Sequence, residues 1–258
     1  MNNPLPPASE PPPQRPEIGL RVASWDAPPA PSGWPARLPL LDRAMAEARR
    51  RAAALLVTPE TGGAGHLGPG LDAAAEASDG PLAQALATLC RAHRIGLVVG
   101  YLEACSGRVH SACLVLGAAG EAIANYRRVH RAPHDPAWLT EGQWLTVVPW
   151  RDRRLGLMIG ADLDHPETAR ALVLAGADLL IVQDRADARR EGRATLLAAR
   201  RLENGIDVVA APADAVPDAA GLVLTDLDAV DAGRAGRVRR LAARRPRLYR
   251  VLGAVDEL

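Results

Sequence analysis

The sequence predicts an α/β fold, and three observations carry that prediction. Apolar runs of strand length, such as Ile18 to Trp25, Ala54 to Val57 and Leu155 to Ile159, recur along the chain. Between them lie stretches whose apolar residues fall at helical spacing, so strands and helices alternate instead of forming separate blocks. The third is Arg154 to Val182. Here an apolar strand, the sharp turn Gly160-Ala161-Asp162-Leu163-Asp164, a helix opened by His165-Pro166-Glu167 and a second strand Leu179 to Val182 follow one another directly. Proline in a first helical turn with an acid behind it is a helix start, and Gly176 is its stop.

Residues 1–17, MNNPLPPASEPPPQRPE, are proline-rich and lack an apolar core, which predicts a disordered tail and no secretory signal. One folded domain is then expected over 18–258. Leu38, Leu41, Met45 and Ala48 predict an amphipathic helix from Pro35 to about Ala52. The strand Ala54 to Val57 runs into a Gly-rich loop, Thr58 to His66. Asp79 and Pro81 start a helix to about His93, and Ile95 to Tyr101 is the next strand. Val109 to Leu116 and Glu121 to Tyr126 form a hairpin across Gly117 to Gly120. Trp144 to Trp150 and Arg153 to Ile159 form another across Arg151-Asp152. Arg189 to Asn204 reads as a helix capped by Gly205, and Ile206 to Ala210 and Gly221 to Leu224 as the last strands.

The 258 residues carry a formal net charge of +1, which gives no global argument for nucleic acid or membrane surfaces. No apolar run approaches the roughly 20 residues of a membrane span. Cys90, Cys105 and Cys113 have no metal-ligand spacing and read as reduced thiols of a cytoplasmic protein, with no metal and no cofactor. All 31 residues of the Lys+Arg count are Arg. Chemistry that needs a side-chain amine is therefore excluded.

Three motif regions, in order, resemble the carbon–nitrogen hydrolase (nitrilase) superfamily, in its amidase and N-carbamoylputrescine amidase-like branch. Asp162, Pro166, Glu167, Arg170, Gly176, Ala177 and Asp178 sit where the superfamily's elbow motif places them. Pro59-Glu60 resembles the loop that carries its general base. Tyr126-Arg127-Arg128-Val129-His130 resembles its Tyr-Arg-Lys-x-His motif. The resemblance implies a four-layer α/β/β/α sandwich. The short segment between Ala210 and Gly221 implies a shortened C-terminal part, since relatives insert a further hairpin there.

The superfamily's nucleophilic Cys, catalytic Lys and Glu map onto Gly160, Arg128 and Glu60. In those relatives the thiolate attacks an amide or nitrile carbon, the Glu moves the proton and the Lys stabilises developing charge. Here Gly160 has no side chain, and no Cys follows Cys113. Arg is larger than Lys and forks onto carboxylates, so Arg128 is expected to pair with Glu60 and fill the pocket. Further pocket candidates are Tyr126, His130, Asp162 and His165; Glu141 is the one candidate for the supporting Glu that many relatives carry in this loop, but Glu141-Gly142 aligns better with the Pro-Gly before the next strand, so its role stays open. Two readings stay open. One is a non-catalytic subunit or ligand-binding protein; the other is a hydrolase or lyase with thiol-free, Glu60-dependent chemistry. A laboratory replacement of the cysteine is disfavoured by the simultaneous change at Arg128.

The resemblance also implies a homodimer, or an assembly with a paralogue, through the helices His165 to Ala175 and Arg189 to Asn204. Their abundance of Ala, Leu and Val exceeds what one sheet contact needs. The segment Arg234 to Arg250 holds eight Arg and no acid, which alone would suggest a nucleic-acid patch, but within it Arg244-Arg245-Pro246-Arg247-Leu248-Tyr249 resembles the superfamily's ending, which wraps over a neighbouring subunit, so no nucleic-acid partner is expected.

Overall fold

The computed structural model describes residues 18–27, 34–63, 70–185, 192–228 and 234–253. The expected tail 1–17, the end of the Gly-rich loop including His66, and the expected start of a helix at Arg189 lie outside them.

Two sheets face each other. The larger runs in the order β10-β1-β2-β3-β4-β5 and the smaller β6-β7-β8-β9. Their strands are β1 (Ile18–Trp25), β2 (Leu55–Val57), β3 (Gly96–Cys105), β4 (Arg108–Leu116) and β5 (Ala122–Arg127), then β6 (Val147–Trp150), β7 (Arg153–Ile159), β8 (Leu179–Gln183), β9 (Asp207–Ala211) and β10 (Leu222–Asp228). The parallel neighbours are β1–β2, β2–β3, β7–β8 and β8–β9; the hairpin pairs β3–β4, β4–β5 and β6–β7 and the closing pair β1–β10 are antiparallel.

The period-two alternation of each strand sorts the core into layers. Leu55, Val57, Val98, Cys113, Val115, Leu155, Leu157, Ile159, Leu179 and Ile181 point between the sheets. Leu56, Leu97 and Val99 point the other way, onto Leu41, Met45, Leu86 and Cys90 of α1 (Trp34–Arg50) and α2 (Pro81–His93). On the far side Met158, Leu180 and Val182 pack under Ala169, Leu172 and Leu197 of α3 (Pro166–Leu174) and α4 (Arg193–Asn204). The result is the expected four-layer sandwich. Ten residues, 212–221, join β9 to β10 without another hairpin, so the second sheet stops at four strands.

Some expectations are corrected. Trp144 precedes its strand and is 79% exposed, because pairing with β7 begins only at Val147. The strand expected from Ile95 to Tyr101 continues to Cys105, since its β4 partner pairs along its whole length. Apart from these corrections, Leu241 of α5 (Arg234–Ala242) packs on the α3–α4 core cluster. No helix among the described residues is long and apolar enough to cross a membrane.

Candidate active site

The site forms where β2, β5 and β7 deliver their following turns to one end of the sandwich. After β2, the Thr58 amide bonds the Val98 carbonyl (2.9 Å), and the Gly100 amide bonds Thr58 Oγ1 (3.0 Å). Gly100 must be glycine, because a Cβ there would lie 2.4 Å from the Pro59 carbonyl oxygen. The Glu60 amide donates to the Asp184 carbonyl of the facing sheet at 2.8 Å. These contacts hold Glu60 between the sheets, 1% exposed.

Arg128 enters from the end of β5. Its Nη1 lies 3.1 Å from Glu60 Oε1, and its Nη2 donates to Asp135, in a buried cluster. Ser111 Oγ donates to the same Glu60 Oε1 at 2.6 Å. Glu60 Oε2 is buried and has no hydrogen-bond partner among the described residues. Burial pushes the Glu60 carboxyl up from its ordinary pKa, against the opposing pull of Arg128 and Ser111. Burial also works against the Arg128 charge, but Glu60 and Asp135 together hold it above its usual value. One guanidinium thus serves two buried carboxylates, and Glu60 is the one left short of donors.

Gly160 follows β7 at φ +50°, a left-handed conformation that favours glycine. A Cβ placed on it would lie 3.0 Å from Glu60 Oε2 and 3.1 Å from Arg128 Nη1. The elbow is fixed from beneath. Buried Asp162 accepts from the Ile159 amide (2.9 Å), the Tyr126 hydroxyl (2.6 Å) and the His130 amide (3.1 Å), and His130 Nδ1 lies 2.9 Å from it. With the Asp162 charge beside it, and burial acting first, the Tyr126 phenol is pushed well up. From α4, Arg200 donates to the carbonyls of Leu163 and Asp164.

A cavity of about 390 Å³ opens over this floor, lined by Glu60, Arg128, Gly160, Ala161, His134, Asp164, Asp184 and Arg185 among others. The structure thus brings Glu60, Arg128 and Gly160 together. The other candidates do not line the cavity. Tyr126 and Asp162 are buried against each other, and the rings of His130 and His165 stack at 3.9 Å beside them. Glu141 is a correction. It is exposed, 3.7 Å from Arg131, and faces a different cavity, because the next amide, Gly142, is tied to the Arg128 carbonyl. The loop acid that reaches Arg128 is Asp135, which the sequence reading passed over, along with Ser111. Strand alternation carried a signal for Ser111: it lies two residues before Cys113 and four before Val115, which face the sheet interface.

A family model described as carbon-nitrogen hydrolase matches residues 21–213. The chain is 35% identical over 169 residues to the hydrolase in the pqqF 5′ region of Pseudomonas protegens, covering 63% of this chain and 58% of that protein. It is 36% identical over 129 residues to an (R)-stereoselective amidase of a Pseudomonas species, covering 50% and 47%. The match thus spans about half the length of these curated relatives. Among solved structures, the amidase of Nesterenkonia sp. AN1, a double mutant in complex with acrylamide, superposes with a TM-score of 0.77 at 26% identity, over 91% of this chain and 97% of that one. In other structures of that amidase, acrylamide or the acetamide moiety of fluoroacetamide is added at its active site cysteine.

Proposed function

The chain belongs to the carbon-nitrogen hydrolase family, and from that premise we propose that it works without thiol chemistry, as a non-catalytic subunit or ligand-binding protein. The observation that carries this reading is the occupancy of the elbow. Gly160 offers no nucleophile, and the Glu60–Arg128–Asp135 cluster lies against the place where a side chain would begin. No cysteine stands in: Cys90 and Cys113 are buried, and Cys105 lines a different cavity. Without a thiolate no thioester acyl-enzyme forms.

The purified protein is expected to release no ammonia from acetamide, acrylamide or carbamoyl amines, and mass spectrometry is expected to find no covalent adduct. A second reading draws on the free, desolvated Oε2 of Glu60 beside Gly160: a water or substrate proton taken there without a covalent intermediate. Turnover that Glu60→Gln abolishes would establish that reading and remove the first.

The subunit role is supported by the outer helices. On α3, Ala171 and Leu174 are exposed, as is Ala175 just after it, and on α4 Ala198 and Leu202, the last 71% exposed. Small residues beside exposed leucines suit close helix packing across a two-fold axis. Light scattering after size exclusion is expected to give a dimer that Ala171→Arg or Ala198→Arg dissociates. A strict monomer that captures no partner would remove the subunit role.

A further inference from the structure

Charge and hydrogen-bond capacity do not balance at Glu60. Two carboxylates, Glu60 and Asp135, compete for Arg128, whose Nη1 and Nη2 are each already engaged. Ser111 adds a second donor to Oε1, and Oε2 has none. That oxygen lies beneath the pocket, 3.0 Å from where a side chain of Gly160 would begin, and both Glu60 and Gly160 line the 390 Å³ cavity. A buried carboxylate oxygen without a donor is costly, and a group entering the cavity can supply one. The other charged groups around the pocket are His134, Asp164, Asp184 and Arg185. Asp184 is paired with Arg193 at 3.1 Å. An anionic ligand would meet Arg185 but also the Glu60 carboxyl itself, while Arg128 already gives one N–H from each Nη to a carboxylate.

Resting on the ligand-binding reading above, we propose that the pocket over Gly160 takes a small organic cation bearing N–H donors, of the amidinium or ammonium class. Its N–H group donates to Glu60 Oε2, and its charge brings the cluster to two cations against two carboxylates. The volume is within the range of small-molecule sites, roughly 300–1,000 Å³. Ala132, Pro133 and Ala161 give the remaining wall an apolar surface for a short carbon chain.

Acetamidinium, acetamide and acetate have nearly one shape and three charges, so they separate charge from fit. Thermal unfolding and isothermal titration of the full-length protein are expected to show stabilisation by acetamidinium, at least tenfold weaker binding of acetamide, and none of acetate. Glu60→Gln is expected to cut acetamidinium affinity by at least tenfold. In the unaltered protein that affinity should rise with pH, by up to about tenfold per unit while Glu60 is mostly protonated, because binding ionises it. This readout does not depend on a variant folding. Equal binding of acetamide, preference for acetate, an undiminished effect in Glu60→Gln, a pH-independent affinity, or no response to any of the three would overturn the proposal. Absence of ammonia release would stand in each case, so a failure here is distinct from failure of the non-catalytic reading.

Discussion

Arg127 and Arg128 are consecutive, yet they make two different ion pairs with two different buried glutamates. Arg127 forks onto Glu103 through Nε (2.6 Å) and Nη2 (2.9 Å), with its own side chain 35% exposed. Burial works against the Glu103 charge, but the two Arg127 hydrogen bonds and Asn125 outweigh it and hold that carboxyl below its usual range. Arg128, 4% exposed, gives Glu60 one hydrogen bond and spends its other arm on Asp135, and Glu60 shifts up. Alternation at a strand end sends the first side chain outward and the second into the elbow. The outward pair is complete and reads as a structural bridge. The inward one is under-satisfied, as groups at functional sites often are.

The sharpest break of this contrast is removal of each arginine. Arg128→Ala leaves two buried carboxylates without a counterion and is expected to cost roughly 3–5 kcal/mol in urea unfolding. Arg127→Ala should cost less, about 1–3 kcal/mol, because solvent already reaches that pair. Equal losses would end the distinction. Gly160→Cys comes next. It forces a side chain into a left-handed backbone and against Arg128, at a cost of about 1–3 kcal/mol. The new thiol is expected to resist alkylation until Arg128→Lys is added. Fast alkylation in the single variant would contradict the filled pocket.

The pH dependence separates the pairs by sign. Glu60's folded pKa is raised, so its contribution to stability is fully present below the ordinary carboxylate pKa and is lost as pH rises through the raised value. Glu103's is lowered, so its contribution is present above the ordinary pKa and is lost as pH falls through the lowered value. Glu60→Gln should flatten the first limb of a melting-temperature profile and Glu103→Gln the second. Identical profiles would show that the glutamates titrate alike. The smallest expected effect, about 1 kcal/mol, is that of Ser111→Ala, which removes one of the two donors to Glu60.

The layers were legible in the sequence because burial repeats with the period of a strand or a helix: Leu155, Leu157 and Ile159 face one way and Met158 the other. Glu60, Arg128 and Gly160 were legible through motif positions, and the structure brings them together. The loop at 131–142 was not. It has no period, so nothing local distinguishes Asp135, which turns in to Arg128, from Glu141, which turns out to Arg131. Backbone bonds from Gly142 to the Arg128 carbonyl and from Thr140 to Val109 set that path, and both partners are distant in sequence.

The four-stranded sheet has one further consequence, for how this protein behaves when concentrated or heated. A sheet edge with free amides and carbonyls is a template for fibre growth. Here each edge meets a proline, which has no amide to offer: Pro149 within β6, and Pro212 immediately after the five-residue β9. Asp207, ion-paired to Arg201, adds charge at the other end of β9. Shortening the sheet at β9 therefore leaves a five-residue edge ended by a proline, a poor template for another chain. Pro149→Val is the substitution that would lengthen such a template, with turbidity on slow heating as its readout.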